Sequence, residues 1–156
     1  MDDNSYYMRL ALDEARLALP SDIPVGAVLV AGGQVIAKAH NMKEALNDPT
    51  AHAEILALRQ GAASLGRWRL TGSVLYVTKE PCPMCAGAIV NSRIDTLVFG
   101  CPDAKGGGAG SLYEIPADSR LNHRAKIIKG VLEEECVRLL KGFFEGKRAA
   151  SSKQAI

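Results

Sequence analysis

The first apolar stripe of the chain has a helical period. In "SYYMRLALDEARLAL", Met8, Ala11, Leu12, Ala15 and Leu19 share one face and Pro20 closes the run, which predicts an amphipathic helix. The next stretch, "VGAVLVAGGQVIAKA", is different: two β-rich runs flank Gly32 and Gly33, the pair expected at a two-residue hairpin. Residues 40–50 are polar and predict a loop. "DPTAHAEILALRQ" (48–60) returns to a helical pattern, with Asp48, Pro49 and Thr50 as its start signal. "SVLYVT" (73–78) and "DTLVFG" (95–100) are apolar runs of strand length, separated by "CPMCAGAIVNS", where Pro83 suits a first helical turn. "AKIIKGV" predicts a last strand and "LEEECVRLLKGFFEGKR" a closing helix. Between "DTLVFG" and "AKIIKGV", "CPDAKGGGAGS" is a Gly-rich loop, expected to form a mobile rim.

Helix, hairpin, helix–strand twice, strand and helix predict an α/β sandwich around a mixed sheet, since helical crossovers permit parallel pairs. One domain is expected over residues 1–148, with 149–156 as a flexible tail.

Composition narrows the class. With 156 residues, 47% of them hydrophobic and 23% charged, the chain can bury a core as a soluble domain. No apolar run reaches the roughly 20 residues of a membrane span, and the acidic start "MDDNSYYMRL" lacks a signal core, so a cytoplasmic setting is expected. The net charge of +2 hides an asymmetry. Residues 1–119 hold 10 Lys and Arg against 13 Asp and Glu; residues 120–156 hold 9 against 4. That basic last quarter is compatible with phosphate contacts and equally with a solvated helix.

The candidate chemistry lies in two short motifs. In "HAE", His52 and Glu54 are two apart, so on a helix they point about 200° from each other. In "PCPMC", Cys82 and Cys85 have the spacing of two thiolates on one tetrahedral Zn²⁺, or of a redox pair. One imidazole and two thiolates leave a fourth position open for water, the layout of a catalytic site. Cys101 is the one alternative fourth ligand; with Cys136 it is otherwise expected to be a free thiol. The "HAE" spacing makes sense if the metal sits off the N-terminal end of the helix, where first-turn residues from different faces converge. Cys82 and Cys85 would lean over the end of the second helix in the same way, both dipoles favouring negative charge. Glu54, close but not a ligand, is then suited to carry protons.

"HAE" followed by "PCPMC" resembles the zinc-dependent nucleobase deaminases. "PVGAVLV", "DPTAHAEILALRQ", "LYVT", "EPCPMCAGAI", "SRI", "LVFG", "DAK", "GAGS", "LNHR" and the late "FF" are similar, within that superfamily, to the bacterial tRNA-specific adenosine deaminases; together they span most of residues 24–148. The resemblance implies a three-layer α/β/α cytidine-deaminase-like fold with a mixed central sheet, and a homodimer. It implies hydrolytic deamination of a wobble adenosine to inosine in a tRNA anticodon stem-loop, with release of ammonia. It also implies one Zn²⁺ per chain on His52, Cys82 and Cys85, with Glu54 as acid and base. Asn41 would hydrogen-bond the base, and Asp103, Lys105, Asn122, Phe143, Phe144 and Arg148 match segments near the RNA. The rivals are a deaminase of free guanine or cytosine and a non-catalytic RNA-binding subunit with structural zinc. Lys79 departs from the pattern, which usually has an apolar residue there; it is expected to snorkel to the surface. Trp68 is expected to pack within its loop, His40 and His123 to serve at the surface or as caps, and at least one of Phe143 and Phe144 to enter the core.

Overall fold

The computed structural model describes residues 2–154, with side chains through residue 150. Helix α1 (Asp3–Arg16) opens with Asp2 as N-cap, its carboxylate accepting from Ser5 N at 2.8 Å. Met8, Ala11, Leu12 and Ala15 form its buried face; Leu19 lies beyond the helix and is exposed, so the stripe ends four residues short of the expected one. Strands β1 (Gly26–Ala31) and β2 (Gln34–His40) form the hairpin, and Gly32 and Gly33 both take positive φ, as the tight turn requires. The polar stretch that follows contains one short helix, α2 (Lys43–Leu46), which the pattern was too brief to reveal. Helix α3 (Ala53–Leu65), strand β3 (Ser73–Lys79), helix α4 (Pro83–Asn91) and strand β4 (Thr96–Cys101) come next. A 3-10 turn (Ile115–Ala117), strand β5 (Lys126–Ile128) and helix α5 (Glu133–Gln154) complete the chain. Helix α5 runs through 149–154 of the segment expected as a tail; residues 155–156 of it lie outside the described residues.

The sheet order is β2-β1-β3-β4-β5, antiparallel across β2-β1-β3 and parallel across β3-β4-β5. This is the expected mixed sheet. Side chains alternate across it with period two. Ala27, Leu29, Leu75, Val77, Leu97 and Phe99 face α3 and α4. Val28, Val30, Tyr76 and Val98 face α1 and the buried Cys136 of α5. Helices on both faces of the sheet give the three α/β/α layers, and each layer boundary is a separate apolar core. Among the described residues no helix is long and apolar enough to cross a membrane.

Candidate metal centre and active-site cleft

Two helix starts define the site. Asp48 makes a local turn instead of starting α3: its Oδ1 accepts from Thr50 N and Oγ1, both at 2.8 Å. The true N-cap of α3 is His52, and that of α4 is Cys82; both have extended backbones, and neither side chain caps its own helix. They turn toward each other. His52 Nδ1 lies 3.6 Å from Cys82 Sγ and 3.5 Å from Cys85 Sγ. Cys85, in the first turn of α4, is fully buried behind them. Convergence off both helix N-termini is the arrangement that the "HAE" spacing required.

These three donors fit one zinc ion. A tetrahedral Zn²⁺ about 2.3 Å from sulfur and about 2.0 Å from nitrogen sets N and S roughly 3.5 Å apart, and the ligand atoms of His52, Cys82 and Cys85 all lie within 4.8 Å of one another. Without a metal the three groups share protons. A hydrogen bond from Cys85, aided by His52, holds the Cys82 thiol down to about 3. The same bond, with burial, pushes Cys85 far up, and the bond to Cys82 raises His52. Cys101 is not a fourth ligand: it is buried on the α1/α5 side of the sheet, where its Sγ donates to Thr78 O at 3.5 Å.

Glu54 follows in the first turn of α3 and is only 4% exposed; burial raises its carboxyl above the usual carboxylate range. Asn41 is also buried, and its Oδ1 accepts from Ala53 N at 2.8 Å, which fixes the peptide between His52 and Glu54. Its amide nitrogen is left for the cleft. That cleft has a volume of about 130 Å³ and is lined by Asn41, His52, Glu54, Lys79, Cys82 and Asp103, with Lys43 on its wall.

The structure therefore gathers Asn41, His52, Glu54, Cys82, Cys85 and Asp103 at one place. Phe143 and Phe144 line an adjoining groove with Lys43, and neither enters the core: Phe144 is 41% exposed, and Phe143 is half-buried with its ring edge-on to it. Lys105, Asn122 and Arg148 are exposed and stand outside the cleft. His123 pins a loop through its bond to Ile94 O at 2.7 Å, and His40 pairs with Glu14 at 3.0 Å. Trp68 does not pack inward; it is exposed, with the Arg69 guanidinium 4.6 Å from its ring.

Glu80 is the residue that the motif reading missed. It is buried at the end of β3, and its carboxylate accepts from the backbone N–H of Asp103, Ala109 and Ser111 at 2.9–3.0 Å and from the Ser111 hydroxyl. Burial favours its neutral form, but those bonds win and hold it below the usual carboxylate range. Gly107 packs so closely on this carboxylate that a side chain there would collide with it. The Gly-rich loop is thus a pinned wall, not a mobile rim. A carboxylate directly before "PCPMC", facing a loop of small residues, was the available signal.

Residues 1–101 match the cytidine and deoxycytidylate deaminase zinc-binding region. The chain belongs to that deaminase family. A tRNA-specific adenosine deaminase from Bacillus subtilis (strain 168) is 48% identical over 95% of this chain and 92% of its own length. A solved structure from work on A-to-I editing by tRNA:A34 deaminases at the wobble position superposes with a TM-score of 0.84 and 44% identity, covering 87% of this chain and 99% of that one. A guanine deaminase from Bacillus subtilis, at 36% identity and a TM-score of 0.62, covers 65% of this chain and 66% of that one. The fold is that of the cytidine-deaminase-like proteins, and the family brings a zinc-binding region to the residues already assembled.

Proposed function

We propose that this deaminase converts the wobble adenosine of a tRNA anticodon loop to inosine, consuming water and releasing ammonia. The observation that carries the reading is the placement of the buried Glu54 carboxyl in the same small cleft as the His52, Cys82 and Cys85 donors. Those three residues would hold one Zn²⁺ per chain, which supplies a water acidified enough to act near neutral pH. Glu54 would carry the two protons of the attacking water in turn, the first to the ring nitrogen of the base and the second to the amine as its C–N bond breaks and ammonia leaves. Its burial excludes bulk solvent from the exchange. Asn41 orients the base through its free amide N–H.

A cleft of about 130 Å³ is below the roughly 300 Å³ of most small-ligand sites. It suits a single extruded base whose sugar and phosphates stay outside, and loop nucleotides are the least costly to extrude. Phe143 and Phe144 lie beside the path for stacking. Asp103, Lys105, Asn122 and Arg148 would meet the RNA around and beyond the cleft, and the enzyme would work as a cytoplasmic homodimer. The exposed Met84, Leu112 and Tyr113 supply apolar surface for a second copy.

The test offers purified protein an anticodon stem-loop with a wobble adenosine, alongside free guanine and cytosine. Inosine in the stem-loop, with no ammonia from the bases, is expected. Ammonia from guanine alone would replace this reading with the free-base one.

A further inference from the structure

Strand β3 places one more side chain at the cleft. Leu75 and Val77 point into the core under α3 and α4, and the strand alternation puts Lys79 next on that face, where the sheet runs out. Lys79 does not snorkel away. It lines the cleft together with His52, Glu54 and Cys82, and its Nζ is 3.1 Å from Asp103 Oδ2, the two side chains being 28% and 24% exposed. The Asp103 carboxylate is fully engaged, because its Oδ1 accepts from Lys105 N and Gly106 N at 3.1 Å each. The lysine is not. Of its three N–H donors, one satisfies Asp103, and no other hydrogen-bond partner of its Nζ stands among the described residues of the cleft it lines.

We infer that Lys79 is a substrate-positioning residue that binds a backbone phosphate next to the reacting nucleotide. This rests on the proposed RNA substrate and adds a specificity element to it. A base seated in a cleft of about 130 Å³ fills it, which leaves the flanking phosphates of a nucleic acid at its edge. Asp103 alone would repel them there. Lys79 cancels that charge and, being partly desolvated and held by the ion pair, meets a phosphate at little cost in side-chain ordering. A free base has no phosphate to present, so the same lysine favours nucleic acid over free bases. Lys43 lines both this cleft and the Phe143 groove.

The experiment measures stem-loop binding over a salt series on a Glu54→Gln background, which leaves the RNA unconsumed, for Lys79, Lys79→Leu and Lys79→Arg. Lys79→Leu is expected to bind roughly tenfold more weakly at low salt, with a salt dependence shallower by about 0.7 to 1 in logarithmic slope; Lys79→Arg should retain both. A methylphosphonate at the contacted position should erase the difference between Lys79 and Lys79→Leu. Should Lys79→Leu fold poorly by circular dichroism, Lys79→Gln removes the same charge and is judged by the same slopes. An unchanged slope with unchanged affinity overturns the inference. So does weaker binding with an unchanged slope, because that would reflect a disturbed Asp103 loop and no phosphate contact. Binding is read without turnover, so failure of the wobble-adenosine reading shows separately, as a wild-type protein that makes no inosine.

Discussion

Cys82 and Cys85 lie on one side of the sheet, and Cys101 and Cys136 on the other, in the layer under α1 and α5. The site cysteines stand at a helix N-terminus with an imidazole and each other as partners, and Cys82 is drawn down to about 3. The core cysteines have mainly apolar neighbours, and burial pushes them up to about 11 and about 12. Residue type therefore decides little. A thiol becomes a potential ligand when the fold provides a dipole end and polar partners, and a small hydrophobe when it does not.

The sharpest way to break this contrast is substitution on each side. Cys82→Ala should lose zinc, measured by atomic emission, and with it all turnover above background. Cys136→Ala should keep both, at a cost of roughly 1 kcal/mol in urea unfolding. Zinc retained by Cys82→Ala would refute the ligand assignment. Next in size is Glu54→Gln, which should lower turnover by about 10²- to 10⁴-fold while zinc content and fold persist. Because it replaces a buried ionisable group with a neutral one, its thermal midpoint should not fall. Unaltered turnover would remove Glu54 from the chemistry. The smallest effect concerns alkali. The folded core thiols hold their protons above the ordinary value of 9.0, so their contribution to stability is fully present below pH 9 and lost as pH rises toward 12. The stability difference between wild type and Cys136→Ala should therefore shift against wild type over that range in urea titrations. A constant difference would mean that the folded thiol is not raised.

Periodicity revealed most of the layers. α1, the hairpin, α3, β3, α4 and β4 each carry a pattern long enough to show which face is buried, and "HAE" with "PCPMC" exposed the donor set because ligand spacing is local. What stayed hidden depends on partners far along the chain. The Asp48 turn imitates a helix start, and only the tertiary position of His52 shows where α3 begins. Phe143 and Phe144 read as core candidates until the middle of α5 is seen to run along the groove beside the cleft. Glu80 was silent because its four donors come from residues 103–111, more than 20 positions away. Lys79 reads as an ordinary exposed lysine until Asp103 is placed against it.

The uncapped starts of α3 and α4 have one more consequence. His52 and Cys82 are 30 residues apart in the chain, so an ion held between them would act as a crosslink that closes a long loop, as a disulfide does in an oxidising compartment. Closing such a loop restricts the unfolded chain, and metal affinity becomes part of the folding free energy. Removal by a chelator, with no reductant needed, would open the clip. Both helix ends should then loosen together, before the two cores do.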